Sequence, residues 1–258
     1  MGGHRGLTIM ALKDAPDQYV SVMYSISADP LKLFLKKVKE KSKEKISFSH
    51  ILNKLLALAI NECPEHNQVV LGNKIYQMEG IHIANILLLP GKEKALANMI
   101  LDDPHLKSLD QIAIELKQIR DRKLYLYENK LEEFASAKIK FFKFLYATKL
   151  NKLVSEKFFY KTGYEMGMLT NLFFSNQVYS GVQGTFTVLR SITPYVNSVV
   201  FHTSGTEKRV CVENDQPVVK EILPLTVTYD HRALHGIHAH HFGLVLERIA
   251  SDPEKYFS

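Results

Sequence analysis

"LPLTVTYDHRALHGIHAHHF", residues 223–242, changes character halfway along. Its first part sets Leu223, Leu225, Val227 and Tyr229 against Pro224, Thr226, Thr228 and Asp230, the two-residue period of a strand with one apolar face. A turn over Asp230–Gly236 follows, and the spacing then predicts a helix from about Ile237 to Ala250. Residues 229–242 hold five of the chain's eleven histidines, so ionisable side chains gather where strand becomes helix.

Imidazoles at such a junction serve a metal, acid/base chemistry or a solvated surface. A metal needs converging ligands: His238 and His241 are three apart on one helical face, and His231 and His235 are four apart across the turn. The two-histidine helical motif of metalloproteases, with its glutamate base, is absent, and no metal is expected. A general base needs only one imidazole, held in a fixed tautomer at the end of a rigid strand. His231 stands there, whereas His240 and His241 read as helix-surface residues and His238 as facing the core or a channel.

The rest of the chain bounds these readings. It has 258 residues, 46% of them hydrophobic, enough to build a core. A net charge of +6 is too modest to imply nucleic acid, and anionic small molecules remain open as ligands. Cys63 and Cys211 match no disulfide or paired metal spacing, which suits a reducing, cytoplasmic setting. The first twenty residues hold no apolar run of signal-peptide length and no stretch reaches membrane-spanning length, so neither secretion nor membrane spanning is expected.

"SADPLKLFLKKVKEKSKEK" predicts a helix opening at Pro30 with Asp29 as N-cap. "SFSHILNKLLALAINECPEHN" is apolar almost all round and stops at Pro64, a buried helix. Extended segments follow at Gln68–Leu71 and Lys74–Met78, then a buried strand in "GIHIANILLLPG". "SLDQIAIELKQIRDRK" opens on a Ser-x-x-Gln capping box. Residues 125–180 differ: "AKIKFFKFLYATKLNKLVSEKFFYKTGY" carries seven lysines, one acid and eight Phe or Tyr residues. They read as helices packing aromatics inward, or as a basic surface for anionic lipid or a protein partner. "GTFTVL" and "SVVFHT" are strand-like. With no internal repeat or linker, residues 1–258 are expected to be one domain.

"LPLTVTYDHRALHG" resembles the C-terminal D-H-R-x-x-D-G motif of the catalytic domains of 2-oxo-acid dehydrogenase dihydrolipoyl acyltransferases. It is similar, too, to the H-x-x-x-D-G-x-H-x-x-x-F run of chloramphenicol acetyltransferase, which His231, Gly236, His238 and Phe242 fit. Residues 48–67 look like the family's long buried helix, "IHIANILLLPG" like its next strand, residues 106–116 like its following helix, and "GTFTVLRSI" (184–192) like its "GTFTISNLG". The order is the family's, over about residues 20–257.

The resemblance implies an α/β fold, an α+β two-layer sandwich like that of chloramphenicol acetyltransferase, in which a mixed sheet carries helices on one face. It implies a homotrimer with active sites between subunits. Acyl-coenzyme A or coenzyme A would be substrate, a thiol or hydroxyl compound the acyl acceptor, and no prosthetic group would be bound. In that chemistry His231 is the base, with Asp230, Arg232, Gly236 and His238 supporting the motif, and a serine stabilises the tetrahedral oxyanion.

Three departures matter. His235 stands where the motif has aspartate, removing an anchor for the neighbouring arginine and with it the fixed shape of the turn. Leu189 occupies the oxyanion-serine position of "GTFTIS", leaving Ser191, two residues on, as substitute. Residues 125–180 read as a basic, aromatic insertion. No lipoyl or subunit-binding domain precedes the resemblance, so the acyl group is expected from free acyl-coenzyme A or from a lipoyl domain on another protein. The alternative is a scaffold or binding protein that has lost catalysis and keeps the trimer, contacting membrane or partner through the insertion.

Overall fold

Strand β9, Gln216–Asp230, organises the sheet because three strands pair with it. The computed structural model describes residues 18–71, 74–88, 96–128, 161, 172–176 and 199–257. In chain order these form β1 (Tyr19–Ser27), α1 (Asp29–Lys41), α2 (Phe48–Glu62), β2 (Gln68–Leu71), β3 (Lys74–Gln77), β4 (His82–Leu88) and β5 (Leu96–Asp102). Then come α3 (Leu109–Glu128), β6 (Leu172–Asn176), β7 (Val199–Thr203), β8 (Glu207–Glu213), β9, α4 (Gly236–Ser251) and the single turn α5 (Pro253–Tyr256). One-turn 3-10 segments, Pro64–Asn67 and Pro104–Leu106, follow α2 and β5.

The main sheet runs β1-β9-β7-β6-β4-β5, with β8 on the free half of β9. β4, β6 and β7 are parallel and the remaining pairs antiparallel, so the sheet is mixed. β2 and β3 form a separate hairpin. Register sorts the side chains. Val199, Phe201, Leu225, Val227 and Tyr229 share one face with Leu172 and Phe174, and all join the core built with Leu31, Ile51, Leu55, Ile112, Phe242 and Leu246 of the helices. This is the expected α/β architecture, a mixed sheet with helices packed on it.

The other face is polar at its centre. Ser175, His202 and Thr226 lie opposite one another across β6, β7 and β9, and one row on, Thr228 meets the Ser21 hydroxyl at 2.8 Å. No helix among the described residues is long and apolar enough to cross a membrane.

Local rules account for much of this. The Ser108 amide donates to Gln111 Oε1 at 2.8 Å and the Gln111 amide to Ser108 Oγ at 3.2 Å, the expected capping box. β8 and β9 are joined by Asn214 and Asp215, both with positive φ (49° and 59°), as a two-residue hairpin requires. α2 is buried nearly all round, including Asn53 and Lys54. Asn53 and Asn85 exchange amide hydrogen bonds at 2.9 and 3.0 Å, and Lys54 Nζ donates to the carbonyls of His105 and Lys107. The polar groups are thereby paired where water is excluded.

Two expectations are corrected here. Asp29 is not the N-cap of α1: Ala28 is, and the Asp29 carboxylate accepts the Glu221 amide of β9 at 3.1 Å, so it pins helix to strand. Residues 125–180 are not wholly helical surface. α3 continues to Glu128, and Leu172–Asn176 is strand β6, in the middle of the sheet between β4 and β7. The lysine- and aromatic-rich stretch between them lies outside the described residues, apart from Lys161.

Candidate active site

β9 delivers its last residue, Asp230, into a tight turn. The Asp230 carbonyl accepts the amides of Ala233 and Leu234, and the His231 amide donates to the Gln18 carbonyl at 2.8 Å. Asp230 and Arg232 are both buried. Asp230 Oδ1 accepts the Arg232 amide and Nε, both at 2.9 Å, while Oδ2 accepts Nε at 3.1 Å and Nη2 at 2.5 Å. A two-pronged buried ion pair of this kind is rigid, because breaking it strands a charge. The expectation that His235 would cost the turn its shape is therefore corrected: the arginine's anchor is Asp230.

His231 is half-buried at the rim of this turn. Its Nδ1 lies 2.7 Å from the Leu234 carbonyl, which can only accept, so Nδ1 carries the hydrogen. In the neutral ring the lone pair is then on Nε2, the arrangement a general base needs. His235 is the N-cap of α4, with extended backbone (φ −115°, ψ 167°), and its amide donates to His238 Nδ1 at 2.9 Å. The rings of His231, His235 and His238 follow one another at 5.5 and 5.7 Å between centroids. Among the described residues, His231, His235, His238 and His241 do not form a group of three or more metal-ligating side chains. Gly236 starts α4 with open space where a Cβ would sit. Nothing in the described chain demands glycine there.

Ser191 and Leu189 lie outside the described residues. A serine the sequence reading passed over, Ser175, is buried on β6. It faces the polar side of the sheet beside His202, which is 1% exposed and, among the described residues, has no hydrogen-bond partner on either ring nitrogen, as is true of Thr226 Oγ1. Burial pushes the His202 imidazole below its ordinary pKa, so it stays neutral. A signal was available: "LFFSN" carries the Ser-Asn pair of "GTFTISNLG" inside a short apolar run.

Ser175 and His231 do not meet within one chain. Ser175 is opposite His202 and His202 opposite Thr226, five residues before His231. That places the two about 17 Å apart along the strand and about 10 Å apart across two strand spacings. A cavity of about 640 Å³ between α2, α3 and the sheet, lined in part by Lys45, His50, Asn53, Met99, Arg120 and Phe174, contains none of the histidines of residues 231–241.

With this geometry in place, comparison with known proteins gives one consistent answer. Residues 7–134 and 179–258 match the family described as 2-oxoacid dehydrogenases acyltransferase (catalytic domain). Among solved structures, the cubic core of the pyruvate dehydrogenase multienzyme complex is similar at a TM-score of 0.68 and 18% identity, over 98% of this chain and 89% of that one. Azotobacter vinelandii dihydrolipoamide acetyltransferase is similar at 0.67 and 19%, over 97% and 88%. Chloramphenicol acetyltransferase follows at 0.56 and 13%, over 96% of each chain. No curated protein matches by sequence.

Proposed function

Because this chain belongs to the family of 2-oxoacid dehydrogenase acyltransferase catalytic domains, we propose that it transfers an acyl group between a coenzyme A thioester and a thiol or hydroxyl acceptor. The observation that carries the reading is the 2.7 Å bond from His231 Nδ1 to the Leu234 carbonyl, which leaves Nε2 as the base. Nε2 takes the acceptor's proton, and the resulting thiolate or alkoxide attacks the thioester carbonyl. The tetrahedral oxyanion collapses, the bond from acyl carbon to coenzyme A sulfur breaks, and the imidazolium returns the proton to the departing thiolate.

Ser175, rather than Ser191, supplies the hydroxyl to the oxyanion. In the Azotobacter vinelandii enzyme a serine, a histidine and an asparagine four residues past the histidine were investigated for their role in catalysis. His235 stands at the asparagine's spacing, and Ser175 precedes His231 by 56 residues, close to the 52 of that enzyme, against 40 for Ser191. Since one chain holds Ser175 and His231 far apart, a site using both takes one from each of two neighbouring copies. This supports the homotrimer and a channel between subunits. The bare Gly236 accords with a neighbour or substrate approaching from outside the chain.

Purified protein incubated with acetyl- and longer acyl-coenzyme A plus a dithiol acceptor should release free coenzyme A. His231→Ala should lower turnover about 10²-fold or more and Ser175→Ala about 10²-fold, with Ser191→Ala near wild type. No turnover, or turnover indifferent to His231→Ala, overturns the enzyme reading in favour of a scaffold. Co-expressing His231→Ala with Ser175→Ala tests the shared site: mixed trimers regain an intact pair, and failure to recover activity overturns the two-copy arrangement.

A further inference from the structure

α2 ends at Glu62, and the chain turns at once into Cys63-Pro64-Glu65-His66. The 3-10 turn returns the His66 amide to the Cys63 carbonyl at 3.0 Å and so brings residues 63 and 66 to one side. The Cys63 sulfur, a Glu65 carboxylate oxygen and a ring nitrogen of His66 all lie within 4.8 Å of one another. From the facing helix α4, His241 Nδ1 stands 3.6 Å from Cys63 Sγ. None of these side chains belongs to the acyl-transfer centre.

His66 makes the cluster more than a chance gathering. It is 1% exposed and stacks on Phe242 at 4.3 Å, yet its Nδ1 has no hydrogen-bond partner among the described residues. A dry ring nitrogen is destabilising unless its hydrogen meets an acceptor or its lone pair meets a donor or a metal. A ring nitrogen beside a sulfur and a carboxylate is a ligand set for a metal of borderline softness. Bond lengths of about 2.3 Å to sulfur and about 2.0 Å to nitrogen make a tetrahedral sulfur–nitrogen edge of about 3.6 Å. The Cys63–His241 pair already has it.

We propose that Cys63, Glu65 and His66, whose ligand atoms lie together, bind a divalent metal ion, zinc by preference, and that the exposed His241, 3.6 Å from the Cys63 sulfur but outside that three-residue group, turns in as the fourth ligand and ties the end of α2 to α4. Cys63 is completely buried and closes the inner side, whereas exposed His241 and half-buried Glu65 leave an edge through which an ion enters. Binding breaks the Cys63 S–H bond, forms a metal–thiolate bond and releases the proton to solvent. With four protein ligands the site is structural, and it braces α4, whose first turn follows the His231 turn.

Cobalt(II) is the probe, added to the chelator-treated full chain. One equivalent should saturate, giving thiolate-to-cobalt charge transfer in the near ultraviolet and tetrahedral bands in the visible, both removed by zinc. Cys63→Ala should abolish the charge-transfer band and Cys211→Ala leave it intact. His241→Ala, at an exposed helix position, should keep the fold and weaken binding at least about 10-fold. Zinc should raise the melting temperature of wild type and not of Cys63→Ala. Cobalt spectra with no thiolate band, unsaturable binding, or a spectrum unaffected by Cys63→Ala overturns the site. Acyl transfer is measured separately, so either reading can fail without the other.

Discussion

The two faces of the one sheet are built on different terms. Toward the helices, Phe201, Leu225, Val227 and Tyr229 meet an apolar layer, and the polar intruders Asn53 and Asn85 satisfy each other. On the opposite face Ser175, His202 and Thr226 are equally buried, yet the His202 ring and the Thr226 hydroxyl have no hydrogen-bond partner among the described residues. At the centre of the first face the buried polar groups are paired. The second keeps polar capacity in reserve, as a surface does when it serves chemistry or another chain.

The helix-side face is broken most severely at Phe242, which is fully buried against His66 and Phe201. Phe242→Ala should cost about 3–5 kcal/mol in urea unfolding, and a loss below about 1 kcal/mol would show that this face is not the keystone. Acid should act on the same side. His66 is pushed down to about 3 by burial, whereas the unfolded residue titrates near about 6.5. Its stabilisation is therefore complete above about pH 6.5 and is lost as pH falls toward the folded value, at about 1.4 kcal/mol per pH unit. The lowered pKa values of His50, His105 and His202 act in the same direction. Unfolding measured with chelator at pH 7 and pH 5 should show the decline, and His66→Phe should flatten it.

On the polar face the sign reverses. His202→Leu removes two nitrogens that have no partner among the described residues and should raise the unfolding free energy by about 1–2 kcal/mol while disturbing acyl transfer; a loss of stability would erase the contrast between the faces. The smallest effect belongs to Gly236→Ala. With open space at the Cβ, it should change stability by less than about 1 kcal/mol, and any fall in turnover would then report an approach from outside the chain.

What the sequence made legible follows the same division. Residues 223–230 alternate because one face of β9 is apolar, and Ser108 and Gln111 pair because capping is local. β8 escaped notice because "EKRVCVE" has no strongly buried face: Val210 and Val212 are 72% and 74% exposed. β6 is five residues long, too short to show a period, and sits at the edge of a lysine-rich stretch, while "GTFTVL" drew attention by its letters. The roles of Asp29 and Asp230 depend on which backbone or side chain folds against them. Local rules therefore favoured a cap for the first, and the family resemblance favoured position 235 as the arginine's anchor in place of the second.

β9 couples distant matters through a single ladder. Its first seven residues pair with β8 in a ribbon, and its last nine, Ile222 being shared, run beside β1 and β7 to the turn that carries His231. Because side chains alternate, a deletion anywhere between Ile222 and Asp230 would turn the faces inside out and withdraw the histidine together. At Asn214–Asp215 an added residue lengthens only the hairpin tip. Loop-length tolerance in this protein should thus change abruptly within a few residues of one strand.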